Sequence, residues 1–147
     1  MAQFGRPSAD TYNSDGWTDQ AGGSTTIYTT IDETVASDTD YIKSASAPSN
    51  DPYVTKLSTL EDPVSSSGHT VRFRYCKSAA GGATIGLVVQ LRQGYVDEGT
   101  PGTLIATTTV ADIGETWTNG TISLSAGEAD AITDYTDLYL RFVANQT

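Results

Sequence analysis

The chain has 147 residues, 37% of them hydrophobic, and carries 18 acidic against 8 basic residues for a net charge of −10. That length fits one domain and buries enough surface to fold without a metal or a disulfide, while the acidity repels nucleic acid phosphates. The single cysteine, Cys76, excludes an intrachain disulfide, and the longest apolar stretch, Ile85–Val89, is too short to cross a bilayer.

Thr, Ser and Gly fill the place of the scarce Leu and Lys, a composition that suits sheets with one wet face and many turns. The opening Met1–Asp10 lacks the apolar core of an export signal, so a protein made and folded in a cytoplasm is expected. Residues 1–10 read as an N-terminal arm, and residues 11–147 as a single β-sandwich domain. The first strand candidates are Thr25–Ile31, Asp40–Ser44 and Tyr53–Leu60, with Pro48 and Pro52 bracketing a turn. His69–Lys77 then alternates strictly, placing Val71, Phe73 and Tyr75 on one face and Arg72, Arg74 and Cys76 on the other. Ser78–Gly82 reads as a hairpin turn into Thr84–Arg92, which alternates again with Ile85, Leu87, Val89 and Leu91 inward. After a loop over 94–102 come Thr103–Val110 and Glu115–Leu124.

Ser125–Ile132 is the one helical segment, because Ser125 has Glu128 three residues on, the spacing of a capping box. Asp134 ends it, and Ile132 and Tyr135 are expected to plug one end of the core. The final strand, Leu138–Val143, turns Leu138, Leu140 and Phe142 inward and Tyr139, Arg141 and Val143 outward. The fold class is therefore all-β: a two-sheet antiparallel sandwich of Greek-key or jelly-roll topology, with about eight strands and one short helix near 125–133.

The residues do not assemble a catalytic set. His69 is the only histidine, no Gly-x-Ser-x-Gly elbow is present, and Cys76 reads as strand packing. One His and one Cys cannot build a zinc site. Asp38 with Asp40, and Asp134 with Asp137, have the oxygen chemistry of calcium ligands but are explained by turn formation. No enzyme activity, cofactor or metal is expected. Asn119-Gly120 reads as a hairpin turn or a bulge within a strand.

Arg72, Arg74, Arg92 and Arg141 all fall on outward strand positions. If their strands shared a sheet they would form, with Tyr139, a basic stripe on an acidic body and a candidate protein contact. The simpler reading is cross-strand pairing with Asp or Glu inside the same sheet. Phe4 and Arg6 belong to the arm, which is expected to lie along a neighbouring subunit by strand addition.

Three stretches together look like a recurring pattern in small β-sandwich virion proteins of tailed bacteriophages. They are Arg6–Asp10 with Gly16-Trp17-Thr18, the strand His69–Arg74, and Leu124–Leu138 with Arg141-Phe142. The resemblance implies a jelly-roll capsid decoration (cement) protein or a tail-associated module, and carries no individual functional residue. It implies a virion protein assembled in the host cytoplasm, with the major capsid protein or another virion protein as partner. A homotrimer would match the local three-fold positions of a shell. No nucleic acid or membrane partner is expected. The alternative is a carbohydrate-binding jelly-roll module of a tail or receptor-binding protein, with Trp17, Tyr95 or Trp117 as stacking platforms.

Overall fold

The computed structural model describes residues 2–14, 16–79 and 82–147, and shows an all-β, antiparallel sandwich. The described strands are β1 (Pro7–Asn13), β2 (Thr18–Asp19), β3 (Ile42–Lys43), β4 (Asp51–Leu57), β5 (Thr70–Tyr75), β6 (Ile85–Gln93), β7 (Thr103–Val110), β8 (Thr118–Ser123) and β9 (Leu138–Gln146). One layer is a five-stranded sheet in the order β1-β4-β9-β6-β7. Facing it are the β5–β8 ribbon and the short β2–β3 pair. Most neighbours are distant in sequence, so long connections cross between them, as in Greek-key sandwiches.

Period-two alternation puts one side of each long strand into the core. On β6, Leu87, Val89 and Leu91 are buried, while Val88 and Gln90 between them, and Gly86 before them, are only half-buried. Val71, Phe73 and Tyr75 of β5 pack against the same cluster from the opposite layer. Leu87 is buried, whereas Phe73 and Phe142 are half-buried at its margin. The helix α1 (Ala126–Asp130) begins at the expected Ser125, with both arms of the capping box formed, and ends at Ala131. Ile132 and Tyr135 then pack onto the core.

Several expectations are corrected. Thr25–Ile31 is not a strand: Ile27–Thr30 forms a 3-10 turn. Its Ile27 and Tyr28 amides donate to the two carboxylate oxygens of Asp10, each at 2.9 Å, so a side chain on β1 takes the bonds that a ladder would have supplied. Of the expected arm, Pro7–Asp10 belongs to β1 and pairs with β4, while Met1 lies outside the described residues. The segment before β1 is tied to the chain after β4. Gln3 exchanges side-chain bonds with the backbone of Glu61, and Ser58 N–H donates to Arg6 O at 2.7 Å.

The hairpin at Ser78–Gly82 is also overturned. Ala80 and Gly81 lie outside the described residues, but β5 pairs with β8 and β6 with β7 and β9, so this connection joins the two layers. Asn119 and Gly120 form neither a turn nor a bulge; both sit in the regular β8 ladder, where Gly120 faces Phe73.

Candidate functional site

The four arginines do not make one stripe. Arg72 and Arg74 stand on the outer face of the β5–β8 ribbon, whereas Arg92 and Arg141 stand on the outer face of the five-stranded sheet. Neighbouring alternating segments in the sequence belong to opposite layers, so their outward faces point away from each other. Phe4 and Arg6 form a third group before β1, with the Arg6 guanidinium 5.4 Å from the Phe4 ring centroid and also bonded to Glu33 O. Phe4 is 64% exposed.

On the ribbon, β5 and β8 pair in register so that Arg74 lies opposite Asn119 and Arg72 opposite Thr121. Arg74 forks onto the Asp38 carboxylate, Nε to Oδ1 at 2.6 Å and Nη2 to Oδ2 at 2.8 Å, and its Nη1 donates to Asn119 Oδ1 at 2.8 Å. The same guanidinium stands 5.9 Å from the Trp117 ring centroid. Trp117 in turn packs at 5.6 Å against Tyr41 in a tilted pair. Two contacts thus fasten residues 38–41 to the ribbon: a charge-assisted fork and an aromatic pair. Hydrogen bonding to Arg74 holds the Asp38 carboxyl below its ordinary range. Burial, with Asp38 nearby, raises the Cys76 thiol and keeps it protonated. Arg72 is exposed and has no hydrogen-bond or ion-pair partner among the described residues.

The outer face of the five-stranded sheet is partly roofed by the loop Gly94–Gly102. Gly102 has φ +68, and a Cβ there would lie 2.2 Å from Gln93 O, so only glycine lets the loop close this tightly. Under the loop, Tyr95 and Tyr139 meet at 5.8 Å and enclose Val54 in a small second cluster. Tyr139 is therefore buried, not an exposed contact residue. Glu98 of the loop accepts from Arg141 Nε at 2.9 Å and from Tyr95 Oη at 2.8 Å. Those bonds, the Arg141 ones foremost, hold the Glu98 carboxyl below its usual range. Gln90 Oε1 accepts from both Arg92 Nε, at 2.9 Å, and Arg141 Nη1, at 3.3 Å. Arg92 also donates to Pro101 O at 3.1 Å, which anchors the far end of the loop. Tyr139, desolvated and bonded to Asp137, has its hydroxyl pushed up to about 12.

The remaining candidates also make contacts within the fold. His69 Nε2 pairs with Tyr135 Oη at 2.7 Å, tying the start of β5 to the segment after α1. Trp17 is buried, with its indole N–H donating to Asp51 O at 3.0 Å, and Tyr95 is buried under its loop. Neither ring offers a face to a sugar; Trp117, half-buried, is the remaining stacking candidate. Asp134 caps Thr136, and Asp137 serves Tyr139 and Lys56. Among the described residues no three His, Cys, Asp or Glu side chains converge as metal ligands would.

Asp38, Tyr41, Asn119, Glu98 and Gln90 are the partners that sequence reasoning did not supply. Their long-range contacts join residues from 36 apart, as in Arg74–Asp38, to well beyond the 51 of Arg141–Gln90, as in the Tyr41–Trp117 pair, and no local pattern announces them. Comparison with known proteins adds no relative: no family model, curated protein or solved structure matches the chain.

Proposed function

We propose that this chain is a non-enzymatic structural protein of a tailed-phage virion, a decoration protein that binds the outer surface of the head through the β5–β8 ribbon. The observation that carries the reading is the make-up of that face. Arg72 is exposed, without a hydrogen-bond or ion-pair partner among the described residues, two positions along β5 from the half-buried Arg74, whose guanidinium stands by Trp117 and through it Tyr41, on a body of net charge −10. Arginine, tryptophan and tyrosine are the residue types that concentrate binding energy in protein interfaces. The resemblance of the three stretches to phage β-sandwich proteins supports the setting. The reading also accords with the state of the reactive groups: His69, Glu98, Asp38 and Asp10 all hold the fold together.

The test is co-sedimentation with purified heads lacking the protein. Wild type should saturate them, and Arg72→Glu should lower occupancy most at low salt, because exposed charge contacts are screened beyond ~8–10 Å near physiological ionic strength. Wild type that leaves heads bare, or an Arg72→Glu variant that matches it at every salt concentration, refutes the proposal.

A second reading, a carbohydrate-binding module, is favoured by one feature, the Trp117–Tyr41 pair set beside the Asp38 carboxylate and the Asn119 amide. Ring faces and planar hydrogen-bonding groups side by side suit sugar C–H and O–H groups. A glycan array that lights up with wild type and darkens with Trp117→Ala would support it over head binding.

A further inference from the structure

The two edges of the five-stranded sheet are built differently. β1 begins with Pro7, carries Asp10, breaks register twice against β4, and lies against the Ile27–Thr30 turn. Each of these is a device that keeps an edge from recruiting another strand. β7 is less guarded: it has no proline or charge and a single register break, and although α1 and β8 approach it, neither pairs with it. Its eight residues, Thr103–Val110, include no charge and no proline, and are dominated by Thr, Ile, Leu and Val, which favour extended backbone. Only β6 pairs with it among the described residues. The one register break falls near Leu104, so Ala106–Val110 is a regular, open run. Thr107 and Thr109 are exposed, and Leu104 is 43% exposed. The nearby β8, an edge strand of the other layer, is likewise uncharged. Asp112, just past the end of β7, is neutralised by Lys77 at 3.1 Å.

We infer that β7 is a self-association edge, along which two copies of this chain pair antiparallel across a two-fold axis and join their five-stranded sheets into one. An open edge selects its partner by what it lacks as well as by what it offers. No charge lies along β7 to attract a charged peptide, so the matching strand is itself uncharged and β-branched, a description that β7 fits. Two chains of net charge −10 repel over most of their surfaces, and this edge lets backbones meet with no like charges opposed. An axis through Thr108 uses the whole regular run. It sets Thr107 against Thr109 of the other copy on the outer face, and Ala106 against Val110 on the core side. Cross-strand Thr pairs of this kind stabilise a ladder. Isologous pairing closes at two copies, so this edge makes a dimer and not the trimer expected from shell symmetry. The inference stands apart from what the ribbon binds.

Sedimentation equilibrium over a concentration series tests it. Wild type should approach twice the 15.5 kDa chain mass. The double variant Thr107→Lys/Thr109→Lys opposes lysine to lysine across the axis and should weaken the dimer roughly tenfold or more. Thr107→Lys/Thr109→Glu opposes unlike charges and should keep it. If the lysine variant does not fold by circular dichroism, Thr108→Cys in a Cys76→Ser background decides instead, since residues facing across the axis lie within disulfide reach. A wild type that stays monomeric or forms a trimer, a lysine variant that dimerises as well as wild type, or a Thr108→Cys chain that does not cross-link overturns the inference.

Discussion

Gly120 is the position where the ribbon is least able to accept a side chain, and Gly120→Ala tests how the second layer is packed. A Cβ built there lies 2.3 Å from both Cε2 and Cζ of Phe73 and 2.8 Å from Cδ2. Carbon atoms rest at about 3.5–4.0 Å, so the Phe73 ring must move by about 1–1.5 Å or the two strands must part. The ring is not free to move without loss, because its other side packs on the core and on Tyr75, with centroids 5.7 Å apart. Overpacking of this kind costs ~1–3 kcal/mol. Alanine recovers ~0.5–1 kcal/mol of backbone entropy relative to a glycine in a strand, so the net loss should be ~1–2 kcal/mol. For a chain of this length each kcal/mol moves the melting temperature by about 2–4 °C, which puts the drop within reach of calorimetry. The decisive arm is a double-mutant cycle in urea. In a Phe73→Ala background the clash is gone, and Gly120→Ala should become stabilising by ~0.5–1 kcal/mol. If it remains destabilising there, or is neutral in wild type, the close packing of Phe73 over Gly120 is wrong.

Tyr53→Phe should cost ~1–3 kcal/mol by urea denaturation, because the buried hydroxyl donates to Asp10 Oδ1 at 2.6 Å and a carboxylate acceptor strengthens the bond. Burial and Asp10 together raise the Tyr53 hydroxyl well above its ordinary value, so no tyrosinate signal from this ring should appear in an alkaline titration of the folded protein. Glu98→Gln should lower the melting temperature at neutral pH and lose its effect in acid. A carboxyl whose folded value is depressed contributes stability above the unfolded value, near 4.5, and loses it as pH falls through the lower folded value. A wild-type-minus-variant difference that stays constant down through that window would refute the pairing with Arg141. Ser125→Ala should cost ~1 kcal/mol, the usual worth of an N-cap, and Glu128→Gln should cost less, since the capping box tolerates Gln at that position.

The class of the fold was legible because it rests on local periodicity. Strict alternation in His69–Lys77 and Thr84–Arg92 marks half-buried strands whatever their partners, and Thr103–Val110 is a strand with the bounds its composition suggests. The Ser125–Glu128 spacing likewise announces a helix start from four residues of chain. Partnership was not legible. Two alternating segments in succession read as a hairpin, yet β5 and β6 went to opposite layers, and that single difference dissolved the arginine stripe. Thr25–Ile31 has the residues of a strand but became a turn because Asp10, far earlier in the chain, captured its amides. Pro7–Asn13 shows no apolar run, yet pairing with β4 made it an edge strand. In each case the deciding contact joins residues distant in sequence, where register and layer depend on the free energy of the whole packed core. Alternation tells which side of a strand is apolar; only the assembled sandwich settles which strand stands beside it, and so which arginines share a surface.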